Sequence, residues 1–117
     1  MENVTYQRRL KLILFKDIHV APILAGTKTQ TRRIWKKPRA KIRAIHLAKT
    51  KMISKEFFAK LEILDVYREP LIEITDEDAK AEGYNNAAAY FVAFCKINHL
   101  KKVPDILVYV VKFKVVS

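Results

Sequence analysis

Glycine and cysteine are nearly absent from this chain: two glycines and one cysteine in 117 residues. A lone cysteine excludes an internal disulfide, and Cys95, in the apolar stretch YFVAFCKI, is expected to be a buried structural thiol rather than a nucleophile. The histidines, His19, His46 and His99, are scattered without metal-ligand spacing, so neither a metal nor another cofactor is expected. No apolar run approaches the roughly 20 residues that a membrane helix needs. The segment MENVTYQRRLKLILF has basic residues before a short apolar run and no small-residue cleavage site, which reads as a strand and not as a signal peptide. Repeats, linkers and low-complexity tracts are missing too. These absences leave a single domain over residues 1–117, with a cytoplasmic location and no membrane partner as the expectation.

Acidic residues are scarce in the first half. Residues 1–60 hold 16 Lys/Arg against 3 Asp/Glu, whereas residues 61–117 hold 7 against 9, giving the overall charge of +11. A half-chain that carries all the excess predicts one basic face, for which a polyanion is the natural partner. The plainer reading is the solvated, lysine-rich surface of a thermally robust protein.

What is present gives an element order. LKLILF (10–15) reads as a half-buried strand. Asp17 can cap a short helix over IHVAPILAG, with Pro22 at its start or bend and Gly26 as a left-handed stop. TKTQTRRIW, KIRAIHLA (41–48) and FFAKLEILDVYREPL (57–71) read as strands. ITDEDAKAEGY starts a helix at Thr75, with Asp78 three residues on, and stops it at Gly83. NNAAAYFVAFCKINHLKK follows with an Asn cap and an expected buried stripe of Ala88, Phe91, Val92 and Cys95. ILVYVVKFKVV closes the order as a β-branched strand. The class is α+β, with a mainly antiparallel sheet able to curl into a small barrel.

The chemistry-bearing stretch is ILAGTKTQTRRIW, in which one of the two glycines precedes a polar cluster. Strand alternation puts Thr29, Thr31 and Arg33 on one face and Lys28, Gln30, Arg32 and Ile34 on the other. Lys28 sits at the turn, so it joins Thr31 and Arg33 if the loop swings it inward. Glu82 ends the acidic helix, an unfavourable place for a carboxylate against the helix dipole, and this singles it out. The plain reading is a Lys28–Glu82 ion pair between turn and helix, with Thr31 an ordinary strand residue. Lys28, Arg32, Arg33, Lys36, Lys37, Arg39, Lys41 and Arg43 form a dense basic run suited to phosphates. Trp35 and Tyr84 are candidates for stacking on a base, or wall residues of a cleft. No RRM, KH or zinc-knuckle pattern is present. A protein–protein adaptor remains a third class, since fold does not fix function.

Taken in order, ILAGTKTQTRR, the acidic ITDEDAKAEGY and the terminal VYVVKFKV resemble the ASCH family, a PUA-like group, over roughly residues 10–116. The resemblance implies a small β-barrel of five to six mostly antiparallel strands with flanking short helices. It implies a cleft lined by Gly26–Arg33, with RNA or a nucleotide as ligand. The binding residues would be Gly26, Lys28, Thr29, Arg32, Arg33, Trp35, Lys36, Lys37, Arg39 and Tyr84. One branch resembles amidohydrolases that deacylate N4-acetylcytidine and related acylated cytidines. Its lysine, threonine and glutamate fall here on Lys28, Thr31 and Glu82, which the resemblance makes the catalytic set. The sequence departs from the family in KPRAKIRAIH, which has no glycine where many members turn. A base role for Lys28 requires that Glu82 not hold it protonated; otherwise Glu82 is the base and Lys28 steadies the oxyanion.

Overall fold

The structure, a computed structural model, describes residues 10–117; Arg8 and Arg9, which precede the first strand, lie outside them. The order is β1 (Leu12–Leu14), a 3₁₀ turn (Asp17–His19) running into α1 (Val20–Ala25), β2 (Gln30–Arg33), β3 (Ile45–Lys49), β4 (Ala59–Pro70), a second 3₁₀ turn (Leu71–Glu73), α2 (Asp76–Ala81), α3 (Ala87–Ile97) and β5 (Leu107–Val115). The five strands form one sheet in the order β1-β3-β4-β5-β2. β1 runs parallel to β3, and the other neighbours are antiparallel.

The sheet is mixed and open, which corrects the barrel expectation. β1 and β2 are its two edges and share no ladder. A bulge in β4 at Ile63/Asp65 adds bend to the long strand, as an extra residue on one side of a ladder does. The bend curls the edges towards each other without pairing them. The Arg33 side chain spans the gap instead, with Nη2 donating to the Leu14 carbonyl at 2.6 Å.

β5 is buried on both faces because it lies inside the sheet with a core on each side. Val111 and Phe113 join Ile13, Phe15, Ile23, Leu61 and Ile63 within the curl. Val108 and Val110 face the other way and pack with Leu71, Ile74, Ala79, Tyr90 and Phe94 from the helical layer. Cross-strand partners share a face, so the pairs Thr31–Val111 and Arg32–Val110 send Thr31 to the first core and Arg32 to the second.

Asp17 does not cap the first helix: it lies within the 3₁₀ turn, and neither that turn nor α1 has a side-chain cap bond. The other punctuation residues act as the sequence suggests. Gly26 closes α1 at φ 80° and Gly83 follows α2 at φ 100°, both in the left-handed region that disfavours a Cβ. The Thr75 and Asn86 side chains accept from the amides of Asp78 and Ala89 and cap α2 and α3.

Two elements differ from expectation. The α3 stripe is rotated: Tyr90 and Phe94 are buried, Val92 is exposed and Cys95 is only partly covered. Apolar residues surround that helix, so periodicity did not select a face; two aromatic rings four residues apart did. β3 begins at Ile45, not Lys41, because Arg43 takes φ 72° and interrupts the extended backbone.

Candidate ligand cavity

The gap between the unpaired edges is a cavity of about 320 Å³. Phe15 and His19 border it from the β1 side, Thr31, Arg32 and Arg33 from β2, Glu82 and Tyr84 from the end of α2, and Tyr90 and Phe94 from α3. Lys28 enters from the turn after α1.

Strand alternation explains how the polar groups arrive. Lys28, Gln30 and Arg32 point towards α2. The Lys28 ammonium donates to the Glu82 main-chain oxygen at 2.7 Å and to Oε1 at 3.0 Å. Arg32 Nη1 donates to Glu82 Oε2 and to Gln30 Oε1, each at 2.9 Å. Its Nη2 meets Glu69 Oε2 at 3.0 Å and Asp78 Oδ2 at 3.4 Å. Gln30 in turn donates to Asp78. On the opposite face Arg33 Nε donates to Thr31 Oγ1 at 2.9 Å, and its guanidinium lies 5.0 Å from the Phe15 ring centre. β2 is an edge strand, so a cavity at its open side meets both faces. Lys28 and Thr31 therefore share one space although Lys28 does not join the Thr31–Arg33 face.

Burial sets the electrostatics. It pulls the Lys28 amine below its ordinary value, against the pull of Glu82 in the other direction. Burial also opposes the charge of Arg32, but Glu82 and Glu69 overcome it and raise the guanidinium above its usual range. His19 is lowered to about 4 by burial, then by the charges of Lys28 and Arg33. It is neutral near pH 7 and hydrogen-bonds Tyr84 Oη through Nε2 at 3.1 Å. Burial, and then Glu82, raises the Tyr84 phenol, so its hydroxyl keeps its proton. Arg32 Nε is buried without an acceptor among the described residues.

The other expected site residues lie elsewhere. Gly26 is exposed, and an added Cβ would meet nothing within 4 Å, so it serves the turn alone. Thr29 ties β2 to its surroundings through main-chain bonds to Ala81 and Phe113. Trp35 is half-buried against the first core, with its ring 6.0 Å from Tyr109, and does not border the cavity. Lys36, Lys37 and Arg39 are exposed in the loop after β2. Gln30, Glu69 and Asp78 were not foreseen in the network, nor were His19, Tyr90 and Phe94 in the wall. Alternation pairs Gln30 with Arg32, but nothing local announces partners 37 to 50 residues away. Among the described residues no group of three or more His, Cys, Asp or Glu is placed to hold a metal ion.

No family model matches the sequence. No curated protein matches it either. Solved structures do. An ASCH domain from Lactobacillus crispatus JV V101 superposes with a TM-score of 0.69 at 16% identity, over 91% of this chain and 79% of that one. A protein from Enterococcus faecalis V583 described under DUF984 superposes with a TM-score of 0.63 at 17% identity, over 98% of this chain and 84% of that one. The chain has the ASCH-domain fold.

Proposed function

We propose that the cavity between the sheet edges binds a nucleobase, carried by RNA or by a free nucleoside or nucleotide. The observation behind this is the make-up of its wall. Phe15, Tyr84, Tyr90 and Phe94 supply aromatic surface, and Lys28, Thr31, Arg32, Arg33 and Glu82 bring donors and acceptors to the same space. Two of its cations, Lys28 and Arg32, are already ion-paired with Glu82, Glu69 and Asp78, and Arg33 is engaged by Thr31 and the Leu14 carbonyl. Cations already engaged in this way suit a neutral ring with polar edges better than a phosphate, which favours unpaired positive charge. Aromatic stacking on a base contributes roughly 1–3 kcal/mol.

A second reading is amide hydrolysis on an N4-acylated cytidine, and a specific contact favours it. Arg33 donates to Thr31 Oγ1 in the same cavity as a lysine whose amine is lowered by burial. In this reading Thr31 adds to the acyl carbonyl and its proton passes to Lys28 or Glu82. The cytidine amine leaves with a proton, and water then releases the acid from Thr31. Whichever of Lys28 and Glu82 is not the base steadies the oxyanion or orients its neighbour.

Incubation with N4-acetylcytidine separates the two. Saturable binding without turnover supports the binding role. Release of cytidine and acetate, abolished in Thr31→Ala, supports hydrolysis, and full turnover in that variant removes Thr31 from the reaction. Absence of binding to cytidine, N4-acetylcytidine and single-stranded RNA alike overturns the proposal.

A further inference from the structure

A second cavity, of about 530 Å³, opens at the other end of the parallel β1–β3 pair. The first borders Leu14 and Phe15; this one borders Leu10 and Lys11, four residues earlier, and His46 at the start of β3. At ~3.3 Å per extended residue the two are on the order of 13 Å apart along β1. Its wall is completed by the loop from Pro38 to Ile45.

Three features set it apart. Lys11, Arg39, Lys41 and Arg43 border it; among the described residues no acidic one does, and none of the four has an ion-pair partner. His46 also borders it, is 2% exposed, and has a buried Nδ1 with no hydrogen-bond partner among the described residues. Nδ1 is itself closed to the cavity, so the ring serves as a reporter in its wall and not as a ligand. Arg43 is held at φ 72° by its amide bond to the Ile63 carbonyl at 2.7 Å and by the adjacent Ala44–Lys41 turn bond at 3.0 Å. An arginine in the left-handed region is strained, whereas a glycine there would not be. Keeping a cation at that point costs stability, and a site for an anion gives a reason to keep it.

We infer that this second cavity is a phosphate site, in which Arg39, Lys41 and Arg43 hold the charged oxygens and the His46 ring lies in the wall beside them. Its chemistry differs from that of the first cavity: unpaired cations here, ion-paired Lys28 and Arg32 there. The phosphate comes either from a free phosphate or phosphate monoester, or from the backbone of a nucleic-acid strand.

The test follows the His46 imidazole and the Ala44 and Ile45 amides by NMR, titrating the protein with inorganic phosphate and separately with a short oligouridylate. A variant carrying Arg39→Gln and Arg43→Gly removes two cations while giving the left-handed position the residue that fits it, so the fold is kept. Saturable shifts at His46, weakened about tenfold or more in that variant, are expected from the loss of charge-assisted bonds. Saturation by inorganic phosphate assigns a free phosphate or monoester. A response to the oligonucleotide alone, falling with salt, assigns the strand backbone. Thr31→Val, in the first cavity, leaves the His46 response to phosphate in place whether or not that cavity binds a base. Silence of His46 to both probes, or unchanged binding in the double variant, overturns the inference.

Discussion

Lys28 is 2% exposed, and its ammonium has one acidic partner, Glu82, which also holds Arg32. Removing one member of such a set leaves a buried charge without compensation, and the cost depends on how many partners it strands. Lys28→Met leaves Glu82 still bonded to Arg32, and a loss of about 3 kcal/mol in urea unfolding is expected. Glu82→Leu leaves Lys28 with no carboxylate and takes one of three from Arg32, and the expected loss is larger, about 4 kcal/mol. The reverse order would show that Arg32, with Glu69 and Asp78, does not depend on Glu82. His19 gives a pH signature. Its folded value of about 4 lies below the ordinary 6.5, so its contribution to stability is complete above 6.5 and is lost as pH falls towards 4. His19→Gln is expected to flatten the stability–pH curve across that window, and an unchanged slope would place the pH dependence elsewhere. At this scale the sequence was partly legible. Gly26, Lys28, Thr31 and Glu82 stood out by spacing and resemblance. Arg32 stood out only as a phosphate-seeking binding cation; its ion pairs did not, because they depend on distant carboxylates.

At the scale of elements, the site depends on where α2 starts and stops. Thr75 caps its first turn, and Glu82 is presented at its last, followed by Gly83 in the left-handed region. Thr75→Ala is expected to cost about 1 kcal/mol of stability. Gly83→Ala is expected to cost about 1–2 kcal/mol from backbone strain. The space there is not the obstacle, because the added Cβ would sit 3.8 Å from Lys28 Cδ, an ordinary contact. Weaker cytidine binding should accompany either change, since both loosen Glu82; a variant that loses stability and keeps full affinity would uncouple α2 from the cavity. Caps and stops were readable because each is a local device. The buried face of α3 and the start of β3 were not, for opposite reasons. α3 has apolar residues all round, so tertiary contacts choose its face. β3 reads as alternating from Lys41, but Arg43 adopts a backbone conformation that its residue type disfavours.

Over the whole molecule, the acidic residues of the second half reach back to the basic first half. Glu69, Asp78 and Glu82 neutralise cations within the helix–sheet layer, while Lys36, Lys37, Arg39, Lys41 and Arg43 are left at the surface. A strand that met six or more surface cations would lose about three orders of magnitude in affinity between 50 and 200 mM salt. Charge removal at Lys36, Lys37 and Arg39 should lower that slope, and a slope that stays the same would separate RNA binding from the basic run. The α+β class and strand count follow from local patterns. The open sheet does not, because closure depends on whether two edges far apart in sequence meet, and here an arginine side chain and a cavity stand between them. That cavity is the central claim, and calorimetric titration with N4-acetylcytidine tests it most directly. The account predicts saturable one-site binding, weakened about tenfold by Tyr84→Ala through lost stacking. Heats no larger than dilution at millimolar ligand, or equal binding by that variant, would contradict it.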